Sequence, residues 1–243
     1  VEVAAGVHRL TKGVVNWYVI EDAGKLVIVD AGTPGDWDLL VETVGRLGHR
    51  LADIDAVLVT HAHADHTGFA ERARTTAGSR VWVHEADAPV ARGAKQPKTD
   101  GRVVPYLIRA EMYRTVFSLV RRGATKVVPI REVSTFADGE VLDVPGRPRV
   151  VHAPGHTVGT AAIHLESRSV LLTGDALVTR NPLTGRVGPQ IMPSGFNRDT
   201  PAALSSLEAL LAVSASTLLP GHGEPWTQGV PEAVRAAMEA GVS

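Results

Sequence analysis

The sequence predicts an α/β chain in which two mixed β-sheets pack face to face with helices on the outside. Three observations point there: short apolar strands at hairpin-like spacings in both halves, amphipathic helical stretches between them, and no repeat or low-complexity tract. A single doubly wound parallel sheet would leave the hairpin signals unexplained.

The first stretch runs apolar through Val14, Val15, Trp17, Val19 and Ile20, turns at a polar run containing Gly24, and returns over 26–29. Asp30-Ala-Gly closes that second strand, and an amphipathic helix follows through Leu39, Leu40, Val44 and Leu47 to Gly48. A strand over 56–59 runs directly into a histidine cluster; a helix over 69–74 and a strand over 80–84 come next. The second half repeats this grammar, with strands near 141–144, 150–152, 161–165 and 170–173, a helix over 202–211, and a last strand over 217–219 leading into Pro220-Gly-His222.

The segment 89–129 has a different character and reads as a helical insertion in one domain spanning 1–243. A polar loop over 93–101 precedes a helix with Pro105 near its start and Gly123 just past its end, the favourable order for those residues. Val104, Ile108, Met112, Val116 and Val120 recur every four residues, with Arg102, Arg109, Arg114 and Arg121 on the other side. The stripe fits packing on the core, a lid over the active site, or a homodimer contact.

Composition narrows the function classes. The chain has 243 residues, a formal charge of −1 and no extended basic run, which argues against nucleic-acid and anionic-membrane partners and for a small-molecule substrate. Cysteine is absent, so there is neither a thiolate nucleophile nor a sulfur ligand, and a metal must be held by His and carboxylate. No apolar run is long enough to span a bilayer and no signal-peptide pattern stands at the start, so a soluble, cytoplasmic protein is expected.

Chemistry concentrates in Thr60-His-Ala-His-Ala-Asp-His66, between an apolar strand and a helix. Alternate residues at a strand end share one side, so His61 and His63 can face one metal, while the turn swings Asp65 and His66 towards a neighbouring position. Imidazole and carboxylate are ligands that Zn2+ accepts at neutral pH without sulfur. His156 in Pro154-Gly-His156, Asp175 in Gly174-Asp175 and His222 in Pro220-Gly-His222 each follow a strand, where a loop exposes the side chain at a sheet rim. Asp30, also strand-terminal, is read as orienting a histidine or the metal loop by hydrogen bonding. His8, His49, His84, His152 and His164 have no partner at ligand spacing and read as structural or solvated, with His84 and His152 closest to the motifs.

These motifs, in this order and spacing across the whole chain, resemble the metallo-β-lactamase superfamily. The resemblance implies a four-layer αβ/βα sandwich with metals at one edge of the sheets. It implies that His61, His63 and His156 bind one metal, that Asp65, His66 and His222 bind a second, and that Asp175 bridges them. A carboxylate at the bridging position is similar to the glyoxalase II, lactonase and phosphodiesterase branches, and sets β-lactam hydrolysis low. The best-known quorum-quenching lactonases have tyrosine three residues after the bridging Asp, where this chain has Val178.

The expected activity is that of a dinuclear hydrolase with two Zn2+ per chain, iron or manganese being alternatives, in which a hydroxide shared by the metals attacks an ester, thioester or lactone carbonyl. Asp65 is the expected catalytic group, orienting the hydroxide and returning a proton to the leaving group. Loops 177–200 and 89–129 should select the substrate. Arg180, Asn181, Arg186, Asn197 and Arg198 are candidate polar contacts there, and Met192 and Phe196 suit a hydrophobic portion. A mononuclear iron persulfide dioxygenase and a phosphodiesterase of the same fold are the competing readings, with a non-catalytic scaffold disfavoured by the intact ligand set.

Overall fold

The computed structural model describes residues 1–242. Strands β1 (Glu2–Ala4), β2 (Val7–Lys12), β3 (Val15–Asp22) and β4 (Lys25–Val29) form an antiparallel meander. The β3–β4 turn is Ala23-Gly24, both at positive φ (48° and 74°), the backbone that a two-residue hairpin needs to match strand twist. After helix α1 (Trp37–Arg46), strand β5 (Ile54–Val59) pairs parallel with β4; after α2 (Ala70–Ala77), β6 (Arg80–His84) pairs parallel with β5. Helices α3 (Ala88–Ala91) and α4 (Ala110–Arg121) precede β7 (Ser134–Phe136), which completes a seven-stranded mixed sheet in sequential order.

The second sheet holds β8 (Arg149–His152), β9 (Ala161–Leu165) and β10 (Val170–Gly174), antiparallel to one another in turn. A small hairpin, β11 (Val178–Arg180) with β12 (Val187–Gln190), follows, then helix α5 (Thr200–Leu211), strand β13 (Thr217–Pro220) parallel to β10, and helix α6 (Val230–Ala240).

Strand periodicity divides the interior into three apolar layers. Val27, Val29, Leu58, Ile163 and Leu172 fill the space between the sheets, whereas Leu26, Ile28 and Val57 face α1 and α2 through Leu40, Val44 and Ala73. On the far side, Ala162, Leu171 and Leu218 pack against Leu207 and Leu210 of α5 and Val234 and Ala237 of α6. Because β4, β5, β9 and β10 are covered on both faces, they read as continuous apolar runs. This is the four-layer αβ/βα sandwich. Ile163 is fully buried between the sheets, so Ile163→Ala should cost about 2–5 kcal/mol in a urea unfolding series with the m-value unchanged.

Four details depart from the sequence expectation. The stretch 141–144 makes only an isolated bridge, Val141 to Arg149; Leu142 and Val144 are buried, and the turn at Pro145-Gly146 ends the pairing. Strands β1, β2, β7, β11 and β12 and helix α6 were not anticipated. The helix of the insertion is broken: 104–106 is a single 3-10 turn, Arg109 is extended (φ −96°, ψ 121°), and α4 starts at Ala110. The apolar stripe on α4 also faces solvent instead of the core, with Phe117 66% exposed and Thr115 the one fully buried residue of that helix. Among the described residues no helix is long and apolar enough to cross a membrane.

Candidate metal centre

Each predicted site residue follows the C-terminal end of a strand, and the parallel pairs β4–β5 and β10–β13 bring those ends to one edge of the sandwich. Past β5 the chain folds tightly: the backbone N–H groups of His66 and Thr67 both donate to the His63 carbonyl at 3.0 Å, which turns Asp65 and His66 back under His61 and His63. Asp175 follows β10 and His222 follows β13, adjacent because Gly174 is paired with Pro220. Gly221 is required at this junction, since a Cβ there would collide with the Asp175 carboxylate and lie 2.9 Å from His66 Cε1.

The structure brings all seven residues together. The ligand atoms of His61, His63 and His156 lie within 4.8 Å of one another, as do those of Asp65, His66 and His222. Asp175 stands between the two groups: its Oδ2 is 3.5 Å from His156 Nε2, 3.9 Å from His61 Nε2 and 3.2 Å from His222 Nε2, and its Oδ1 is 3.7 Å from His66 Nε2. Asp65 Oδ2 is 3.9 Å from His66 Nε2 and 3.8 Å from His222 Nε2.

Surrounding groups set the ring orientations. Asp30, held at φ +63°, accepts from the Thr60 N–H at 2.8 Å on one oxygen and pairs with His66 Nδ1 at 2.8 Å on the other, so His66 Nε2 points inward. His222 Nδ1 donates to the Val14 carbonyl at 2.6 Å, with the same result. The loop carrying His222 is tied to the first sheet by Asn16 Nδ2 and Tyr18 Oη, donating to the Pro220 carbonyl at 3.0 and 2.7 Å.

Sequence reasoning missed Asn16, Tyr18 and, most consequentially, Asp87. The buried Asp87 carboxylate accepts from the Ala62 N–H (2.8 Å), from Thr157 Oγ1 (2.7 Å) and from the Gly159 N–H (2.9 Å). It therefore clamps the 61–66 loop of one sheet to the His156 loop of the other. Its only local signal is an acidic residue shortly after a strand, shared with many solvated carboxylates.

The donor set fits metal ions on three grounds. His61 Nε2, His66 Nε2 and Asp175 Oδ1 face one another, buried and with no hydrogen-bond partner among the described residues, a costly arrangement for a protein interior unless a ligand satisfies them, and His156 Nε2 meets only His63 Nδ1 at 2.8 Å beside them. Two donors on a tetrahedral zinc are about 3.3 Å apart, close to the Asp175–histidine separations above. Nitrogen and carboxylate oxygen are also donors suited to zinc and to other first-row metals.

Charge is unevenly shared across the cluster. Burial, reinforced by His66 and His156, holds His61 well below the usual imidazole range, and burial beside His63 pushes His156 down to about 3. Burial opposes charging of His66 as well, but Asp30, Asp175 and Asp65 outweigh it and carry the group up to about 10. His222 and His66 hold the Asp175 carboxyl well below its ordinary value despite burial, so Asp175 itself stays ionised.

A cavity of about 420 Å³ opens onto the cluster, floored by His63, Asp65, His156, Asp175 and His222. Its walls are mostly apolar, with Val90, Leu119, Val128, Pro129, Met192 and Phe196 prominent. Both 89–129 and 177–200 contribute. Met192 and Phe196 lie where the sequence suggested. The polar candidates do not line this cavity: Arg180 pairs with Glu111 at 2.7 Å, Asn197 donates to the Met192 carbonyl at 2.7 Å, Asn181 is buried, Arg186 borders a separate surface groove, and Arg198 borders a smaller recess beside His156. His84 and His152 stack on each other at 4.0 Å outside the cluster, and His152 bonds the Val158 carbonyl of the His156 loop. His8 and His49 share the Glu21 carboxylate, at 2.6 and 3.2 Å.

Four-layer sandwich and His/Asp cluster together define a metallo-hydrolase, and the chain belongs to the metallo-beta-lactamase superfamily, whose family model matches residues 10–222. It is similar to the probable metallo-hydrolase YflN of Bacillus subtilis, 26% identical over 238 residues that cover 93% of this chain and 87% of that protein. The human acyl-coenzyme A thioesterase MBLAC2 is 30% identical over 172 residues, 67% of this chain and 58% of that protein. Among solved structures, the metallo-beta-lactamase family protein TTHA1429 of Thermus thermophilus superposes with a TM-score of 0.71 at 27% identity, covering 98% of this chain and 80% of that one.

Proposed function

We propose that the chain is a dinuclear zinc hydrolase that cleaves an ester, thioester or lactone bond in an uncharged substrate with an apolar acyl portion. The observation that carries this reading is the group of unpartnered atoms His61 Nε2, His66 Nε2 and Asp175 Oδ1, gathered at an apolar cavity whose floor is His63, His156, Asp175 and His222. His61, His63 and His156 would hold one ion and Asp65, His66 and His222 a second, with Asp175 facing both. Bound there, the metals supply a Lewis acid for the carbonyl and a water whose pKa falls to about 7. No serine or cysteine nucleophile is needed.

The chain's own groups do the remainder. Val90, Leu119, Val128 and Phe196 surround the acyl portion and exclude bulk water from the reacting carbonyl. Asp65, whose side chain is 17% exposed against 3% for Asp175, is the carboxylate of the cluster that a leaving group can reach. The Asp65 oxygen not turned towards His66 and His222 would take the proton of the attacking water and return it to the departing oxygen or sulfur. No Lys or Arg lines the cavity, which disfavours a phosphodiester, whose charge would call for one. The similarity to an acyl-coenzyme A thioesterase supports including thioesters.

The test is metal content of protein purified without chelator, with turnover of an aryl ester, an acyl thioester, a lactone, a β-lactam and a phosphodiester. Two zinc per chain with cleavage of one of the first three supports the proposal. One iron per chain with oxygen consumed on a persulfide, or turnover confined to the β-lactam or phosphodiester, overturns it. Asp65→Asn is expected to lower kcat by about 10²–10³ with KM little changed, because the proton route is lost while the acyl walls remain. Full turnover with both metals retained would remove Asp65 from the mechanism.

A further inference from the structure

Helix α4 is mounted with its polar side inward. Thr115 Oγ1 donates to the Pro182 carbonyl at 2.6 Å, Glu111 pairs with Arg180, and Arg122 pairs with Asp36. The outward side carries Tyr113, Val116, Phe117 and Val120 at i, i+3, i+4 and i+7, from 44% to 66% exposed. Val104, Leu107 and Ile108, before the helix, extend the same exposed apolar surface. Contiguous apolar surface of this kind marks an interaction site.

The charge around it is equally uneven. Between Arg92 and Arg131 the sequence has ten Lys or Arg against Asp100 and Glu111, although the whole chain carries a formal −1. Neither acid is free: Asp100 accepts from the Thr200 N–H and hydroxyl at 2.6 and 2.9 Å, and Glu111 is held by Arg180. Arg102, Arg109, Arg121 and Lys126 form no ion pair among the described residues, and Arg114, 3.5 Å from Glu111, and Arg121, seven apart, flank one side of the apolar row.

Against the expectation drawn from net charge, which averages over this local excess of cations, we propose that this outward face of 104–128 docks the protein onto an anionic lipid bilayer, apolar side chains entering the interface and the flanking arginines meeting lipid phosphates. An apolar row bordered by long cationic side chains is the arrangement that lies in a membrane interface, because the arginine stems can bury while their heads remain at the phosphates. A second copy is disfavoured as occupant: a twofold contact sets the patch against itself, placing basic rows together with no free carboxylate between them. Nucleic acid would satisfy the arginines but leave Val116, Phe117 and Val120 without a partner. Leu119, Val127 and Val128, adjoining the patch, also line the catalytic cavity, so docking would turn its mouth towards the lipid. The proposal does not depend on which bond the centre cleaves.

Co-sedimentation of the purified, metal-loaded chain with phosphatidylcholine vesicles, with and without phosphatidylglycerol, tests it. Binding is expected with the anionic vesicles only, and Phe117→Glu should weaken it by about tenfold or more. The doubly charge-reversed variant Arg121→Glu/Lys126→Glu, at two basic residues with no ion pair among the described residues, should weaken it likewise. These side chains are outside the metal centre, so metal content and melting temperature should match the parent in both variants, which separates loss of docking from loss of folding and needs no turnover. Failure to sediment overturns the proposal. So does binding that survives Phe117→Glu, which would mark a polyanion held by charge alone, or a two-chain solution mass that becomes one chain in that variant, which would make the second copy the occupant.

Discussion

Asp175→Asn should leave the chain folded, lower the metal bound from two ions to one or fewer, and reduce turnover by at least about 10³-fold. Asp175 is the group within 4 Å of His61, His66, His156 and His222 together, and its charge is the one both halves of the centre share. Asparagine keeps the shape and removes that charge. Its amide nitrogen would also aim N–H donors at histidine nitrogens turned inward to act as donors to a metal, so one half must reorient or stay empty. Metal analysis paired with single-turnover kinetics reads both consequences. A variant that retains two ions and turns over within tenfold of the parent would show that the two halves do not depend on a shared carboxylate.

Asp87→Ala has the second largest expected effect, and on a different quantity. The substitution leaves the Ala62 N–H, the Gly159 N–H and the Thr157 hydroxyl buried without their acceptor, at roughly 1 kcal/mol or more for each. A net loss of about 3 kcal/mol corresponds to a fall in Tm of about 6–12 °C for a chain of this size. Because the same bonds set the spacing of the 61–66 and His156 loops, metal affinity should fall by about 10–100-fold, as for other residues that orient ligands without touching the metal. Asp87→Asn, which can still accept from one N–H, should recover part of both losses. Unchanged metal affinity in the destabilised Asp87→Ala chain would confine the clamp to stability.

The two variants separate the two roles that hold the centre together. Asp175 supplies charge inside the cluster, so its loss should show in metal stoichiometry at nearly unchanged Tm. Asp87 supplies hydrogen bonds outside it, so its loss should show first in Tm.

Much of the centre was legible in the sequence because its cues are local. The motif around His61 and His63 sits within six residues at a strand end, where period-two geometry puts alternate side chains on one side. Asp30, His156, Asp175 and His222 each follow an apolar run, and a strand end at a sheet rim exposes whatever side chain comes next. The hairpin at Gly24 and the cores of β4, β5, β9 and β10 follow equally local rules of turn conformation and two-sided burial.

What stayed hidden depends on contacts between distant parts of the chain. Asp87 meets Ala62 and Thr157, 25 and 70 positions away, and Tyr18 meets Pro220 across 202 positions. No local pattern distinguishes such residues from solvated ones, because their partners are chosen by sheet register and layer packing. The 141–144 stretch has strand-like residues but loses its pairing to the turn that follows. Helix α4 shows the limit most plainly. Its periodicity establishes by sequence alone that one face is apolar, but a pattern of spacings carries no direction. The polar anchors Glu111–Arg180, Arg122–Asp36 and Thr115–Pro182 turned that face to solvent, and only the tertiary structure, through partners more than sixty residues away, could decide it.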